Sequence, residues 1–226
     1  MRVYVALVFV LSVLCGCGPE DYSWNQRITV VVETPEGIVT GSSIVEVSAR
    51  IYPDGQFLTN NIASFHFRGE AVAVEVAPDR WLFALLHPYP AVLLHATRPD
   101  LFGDTELRDY SAWMPDVPDE TEPVAMPDSH WPRFVTFEDV NDPASVVEVD
   151  PNHLAASFGD GVRLIEVDLE VTREDAEYGQ IERTLGWLNL VWPNRLDGQR
   201  FQSANSEFPL ANSLSASSFS TEVGEL

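Results

Sequence analysis

Between Ile165 and Thr172 every second residue is aliphatic: Ile165, Val167, Leu169 and Val171 alternate with Glu166, Asp168, Glu170 and Thr172. A period of two puts one set on each face of an extended strand, whereas a helix would scatter both around its circumference. A chain that must bury the first set and wet the carboxylates of the second has to build a sheet with one covered side. The pattern recurs upstream. Ile28, Val30 and Val32 alternate with Thr29, Val31 and Glu33, and Thr34-Pro35-Glu36-Gly37 follows with turn chemistry. Val45, Val47, Ala49 and Ile51 share a face, with Glu46, Ser48 and Arg50 on the other, before the turn-like Tyr52-Pro53-Asp54-Gly55. Phe65 and Phe67 share a face in Ser64–Arg68, and Val72, Val74 and Val76 do so after Gly69. Ala77-Pro78-Asp79 turns the chain into Arg80–Leu86, nearly all apolar, as expected of a strand buried on both faces. Short strands joined by turns predict a mainly β, α+β fold: antiparallel, sandwich-like sheets with one or two short helices.

The middle of the chain departs from this rhythm. His87–Arg98 fits strand or helix equally. Residues 114–132 (MPDVPDETEPVAMPDSHWP) combine proline with acidic side chains. Proline interrupts regular structure and like charges repel, so a long exposed loop is expected. Short strands are expected at Phe134–Phe137 and Val146–Val149. Asp150-Pro151-Asn152, followed by Leu154–Phe158 and Gly159, carries the start and stop signals of a short helix. Thr184–Trp192, Leu196-Asp197-Gly198 and Arg200-Phe201 suggest a last hairpin. The Ser-rich tail Ser213–Ser220 is expected to be loose.

Charge narrows the partners. The 226 residues hold 13 basic side chains, all Arg, against 35 acidic ones, a net charge of -22. No Lys is present, which excludes a P-loop lysine, a Schiff-base lysine and a Ser–Lys dyad. Nucleic acid and an anionic lipid surface both need a basic footprint that this chain lacks, so no nucleic-acid partner is expected. The acidic surplus is read as a solvating surface, with docking of a basic partner or of divalent cations as its rival.

The N-terminus places the chain. Met1-Arg2 precedes Val3–Leu14, an apolar run too short for a stable membrane span and of the length of a signal-peptide core. Leu14-Cys15-Gly16-Cys17 follows, then Gly18-Pro19-Glu20-Asp21. This stretch resembles the lipobox of bacterial lipoproteins. The resemblance implies cleavage after Gly16, a lipid on Cys17 and a membrane-anchored, periplasm-facing or outer-surface location in the cell envelope. It divides the chain into a signal peptide (1–16), a tether (17–26) and one mainly β domain (27–226). Cys15 would leave with the signal and Cys17 would be acylated, so the body would have no thiol for a disulfide, a nucleophile or a zinc site. The phrases VVVETPEG, FRGEAV, VTFEDVNDP and DPNHLAASFG resemble small uncharacterised proteins of proteobacteria, which carry no assigned activity.

No chemistry-bearing motif stands out. Gly41-Ser42-Ser43 is not a nucleophile elbow and is expected in a hairpin. His66, His87, His95, His130 and His153 occur singly, each more readily structural than catalytic. Asp139-Val140-Asn141-Asp142 and Asp150-Pro151-Asn152 offer oxygens for a hard cation, but Asx residues beside proline also close turns, the favoured reading. Carboxylate pairs and six Trp allow a glycosidase without picking out a pair. Gly159-Asp160-Gly161 reads as a helix stop. No catalytic residue, metal or cofactor is therefore expected. The leading expectation is a non-catalytic, lipid-anchored envelope protein with a structural or interaction role, whose partners are a membrane, met through its anchor, and an envelope protein. The alternative is an envelope hydrolase acting on glycan or ester substrates.

Overall fold

A computed structural model describes residues 18–52, 62–86 and 90–224. The protein is mainly β, with two antiparallel sheets and short helices. The long hairpin of β1 (Glu20–Thr34) and β2 (Gly37–Tyr52) closes at Thr34 opposite Gly37, at the expected turn. β3 (Ile62–Arg68) flanks β2, β9 (Arg163–Thr172) flanks β1, and β6 (Val124–Ala125) adds a short edge, in the order β3-β2-β1-β9-β6. β4 (Val72–Ala77), β5 (Arg80–Ala84), β7 (Phe134–Phe137) and β8 (Val146–Glu148) form the second sheet in that order.

The alternation seen in the sequence determines which side is covered. Ile28, Val30 and Val32 of β1, Val45 and Val47 of β2, and Val167, Leu169 and Val171 of β9 all point into one core. The second sheet covers one end of this face through Val72, Val74, Leu82, Ala84 and Phe134. Helices cover the other end: α1 (Pro90–Thr97), α2 (Pro99–Phe102) and α3 (Tyr110–Trp113). There Trp24 meets Trp113 edge-on at 6.4 Å and Phe65 meets Tyr110 at 5.4 Å. Buried Gln26 accepts from the Trp24 indole at 3.0 Å and donates to the Pro90 carbonyl at 3.3 Å, which fixes the start of α1. Burial decides the ambiguous segment before Arg98: Ala91, Leu93, Leu94 and Thr97 share the buried face of α1 at helical spacing.

The second sheet is a middle layer. Alternate residues of its strands, Phe83, Leu85, Val135 and Val146, face a second core. That core is closed by α5 (Gln180–Thr184), α6 (Leu188–Val191), α7 (Pro209–Ser213) and the tail. This is why Leu82, Phe83 and Ala84 are all buried, as the unbroken apolar run of β5 requires. Full burial of each such side chain contributes about 1.5–3 kcal/mol.

Four expectations need correction. Residues 20–26, expected in a tether, belong to β1, where Trp24 and Gln26 are buried. Residues 114–132 are not a free loop. Thr121 exchanges hydrogen bonds with Val171 of β9, Met126 donates to Val167 at 2.7 Å, and Met114 and Met126 are buried. The segment satisfies the backbone edge of β9, which overrides its proline content. No hairpin forms over 184–201: Leu185 and Leu188 pack into the second core from helical turns, although Arg195–Gln199 does make the tight turn. The Ser-rich tail is packed, with Ala216, Phe219 and Ser220 fully buried. The short helix after Asp150 forms as α4 (Leu154–Phe158), one turn later than the Asp cap suggests, and Gly159 (φ 103°) stops it.

Candidate functional site

The chain passes from the first sheet to the second through Gly69, Glu70 and Ala71. Glu70 is anchored from several directions. Its backbone bridges to Ser220, and its carbonyl accepts from the Ser43 hydroxyl at 2.7 Å. Its side chain is only 3% exposed. One carboxylate oxygen accepts from the Gly179 amide, and the other accepts from Gln180 at 3.0 Å and Ile181 at 3.2 Å. A single carboxylate therefore ties the opening of α5, and with it the outer helical layer, to the crossing between the sheets.

Glu182 of α5 completes the arrangement. Its Oε2 is buried with no hydrogen-bond partner, and its carboxyl is near enough to Glu70 to disfavour a second charge there. Two carboxylates in that position satisfy each other only by sharing a proton. Burial, and then the Glu182 carboxyl, push Glu70 up to about 7, against the pull of the Gly179 and Ile181 amides.

A cleft of about 230 Å³ opens beside Glu70, lined by Arg27, Ser42, Glu174, Asp175 and Gln180 among others. Arg27 does not neutralise it freely, because its guanidinium is bridged to Glu170 and, at 2.6 Å, to Glu174. The mouth stays acidic and repels anions. The Glu70 oxygens point at backbone amides rather than into this space. The site latches two layers, with the Glu70 oxygens held by the amides of Gly179, Gln180 and Ile181.

The sequence-level candidates lie elsewhere. Cys17 and His87 are outside the described residues. Gly41-Ser42-Ser43 sits in strand β2, not at a turn. His95 is packed: its ring stacks on Phe102 at 5.3 Å and meets Trp113 at 5.2 Å, and burial pushes the imidazole down, towards the neutral form. His130 contacts Ser129 at 3.0 Å and His153 contacts Asp150 at 2.8 Å, as two separate exposed pairs. His66 is exposed on β3, opposite Ser48. The Asx oxygens close turns: Asp139 accepts from Asn141, Asp142 from Ala144 and Asp150 from Asn152, each at 2.9 Å. No cluster suited to a metal ion occurs among the described residues. On the outer face of β9, burial and then the flanking Glu166 and Glu170 raise Asp168.

Sequence reading missed Glu70 because its partners lie more than 100 residues away in the chain. The only local signal was an acid between the apolar runs of β3 and β4. Searches of protein-family models, curated proteins and solved structures find no match for this chain.

Proposed function

We propose that this protein is a lipid-anchored component of the bacterial cell envelope with a non-catalytic, structural or interaction role. The observation that carries this reading is the Leu14-Cys15-Gly16-Cys17 stretch, with its apolar leader, placed directly ahead of the folded body. Only Gly18 and Pro19 separate Cys17 from the first residue of β1. An acyl chain contributes about 0.8 kcal/mol per buried methylene, so two or three chains on one cysteine hold a body of this size stably. No helix of the described residues is long and apolar enough to cross a membrane.

The non-catalytic part rests on the Glu70 latch. The carboxyl most displaced towards neutral pH spends its oxygens on backbone amides, and the two imidazole contacts are isolated pairs. The hydrolase alternative draws on the cleft that Glu70 lines. It requires Glu70→Gln to abolish turnover of a glycan or ester substrate while the fold stays intact. The anchor is tested by fractionating cells that express the wild type and Cys17→Ser. Wild-type protein is expected in the membrane pellet, beginning at an acylated Cys17 by intact mass. The variant is expected in the soluble envelope fraction. A wild-type product that keeps Met1 and lacks acyl mass overturns the reading.

A further inference from the structure

Strand register fixes what the first sheet presents on the face turned away from its core. Ser48 and Arg50 alternate with the buried Val47 and Ala49, so they point outward. Across the strands, one outward row holds Arg27 and Ile44, and the next holds Asn25, Glu46 and Arg68. Then come Ser23, Ser48 and His66, followed by Asp21, Arg50 and Ser64. The chain leaving β9 crosses the first two rows. Asn25 donates to the Glu174 carbonyl at 2.9 Å, Glu174 bridges Arg27, and the Arg68 guanidinium lies 5.1 Å from the centre of the Tyr178 ring.

The other two rows floor a hollow of about 430 Å³, whose lining comes from β1, β2 and β3 alone among the described residues. Short serines lie there between the longer side chains of His66, Arg50 and Tyr52. Ser23 is shared with a second hollow of about 390 Å³, which continues across the sheet to Thr172 and to Asp119 and Arg173. Both hollows are polar and electrically balanced. Arg50 donates to both oxygens of Asp21, at 2.6 and 2.9 Å, and Arg173 donates to Asp119 at 3.0 Å. The side chains of Ser23, Ser48, Ser64 and His66 find no hydrogen-bond partner among the described residues. Hydroxyls and an imidazole offer donors and acceptors alike.

We propose that this trough binds a neutral oligosaccharide, whose hydroxyl groups exchange hydrogen bonds with Ser23, Ser48, Ser64 and His66. Charge and polarity select this class. An anion meets the field of a body of net charge -22. A cation finds Asp21 and Asp119 already taken by Arg50 and Arg173. An apolar ligand strips water from the hydroxyls and returns no hydrogen bond. An uncharged polyhydroxyl ligand returns a donor or an acceptor for each one it displaces. Tyr52 adds a phenol ring at the edge of the first hollow, apolar on its face and polar at its tip. Neighbouring strands lie about 4.8 Å apart, so the floor runs about 14 Å from β3 to β9, longer than a single sugar ring. The trough shares no lining residue with the Glu70 cleft, and the inference does not depend on the lipid anchor.

The test screens the full chain, in a detergent without a sugar head group, against an array of short neutral, anionic and cationic oligosaccharides. Binding should be confined to neutral ones, and calorimetric titration with the strongest of them gives the reference affinity. Ser48→Tyr fills the first hollow with a side chain that a strand accepts, and should weaken that affinity about tenfold or more at an unchanged melting temperature. His66→Ala, which removes a hydrogen-bonding group without adding bulk, should weaken it as well. Glu177→Gln, in the Glu70 cleft, should leave it as it is. An array without a neutral ligand, binding to charged oligosaccharides alone, or wild-type affinity in either trough variant overturns the proposal. A chain whose Cys17 carries no lipid should bind the same ligands, so failure of the anchor leaves this inference standing.

Discussion

An added methyl group at position 41 has nowhere to go. Gly41 lies opposite Val30 on the covered face of β2, and a Cβ there would stand 2.3 Å from the Ala73 carbonyl oxygen of β4. The two sheets touch backbone to backbone at this point, so Gly41→Ala must push them apart. The expected cost is about 1–3 kcal/mol, or roughly 2–4 °C of melting temperature per kcal/mol. Gly186→Ala, with its nearest neighbour at 3.9 Å, should be close to neutral in the same calorimetry. Glu70 sets a pH dependence. Its folded value of about 7 lies above its ordinary 4.5, so the folded state binds the extra proton between those pH values. The stability from this group is fully present below about pH 4.5 and is lost as pH rises through about 7. Glu182→Gln removes the competing carboxylate and supplies an amide donor. Melting temperatures followed from pH 5 to pH 8 should therefore fall less steeply in this variant than in the wild type. An unchanged slope would mean that the two carboxyls are not coupled.

At the scale of the elements, the tail is the test piece. Phe219 is fully buried against Phe83, Phe137 and Trp187, with ring centroids 5.8–6.3 Å apart. Phe219→Ala should cost about 3–5 kcal/mol in denaturant unfolding. A variant losing less than about 1 kcal/mol would mean that the tail is not part of the core. The tail also shows where sequence reading stops. β1, β2, β4 and β9 were legible because one face of each is buried and a period of two records that fact along the chain, and β5 because burial on both faces leaves an unbroken apolar run. Ser213–Ser220 carries no such record. Its serines turn back on themselves, Ser215 meeting Ser217 at 2.8 Å, and its single ring enters a hole that other elements have already shaped. Residues 114–132 were misread for a related reason. Proline content reports on local backbone freedom, but the segment is held by Arg98, which reaches the Glu122 carbonyl at 3.2 Å, and by the unpaired edge of β9. The Glu70 site was illegible because proximity of residue 70 to residues 179–182 is a product of the whole topology.

At the scale of the whole molecule, charge works against compactness. A net charge of -22 on 226 residues means that the surface repels itself. Several carboxylates are held by Arg, among them Asp21 by Arg50, Glu148 by Arg133 and Glu222 by Arg68, but these pairs are exposed and contribute little each. Added sodium chloride should therefore raise the melting temperature, by screening long-range repulsion more than it weakens the pairs. A melting temperature that falls with salt would show that the ion pairs dominate. The layered architecture also orders the chain in time. The middle sheet receives the cover on its second face from residues more than a hundred positions further along the chain: Phe219 accepts from the Ala71 amide at 2.7 Å, and Val223 is buried there too. A polypeptide threaded N-terminus first out of a ribosome or a translocation channel therefore holds Phe83 and Val135 bare until residues 181–223 have followed them.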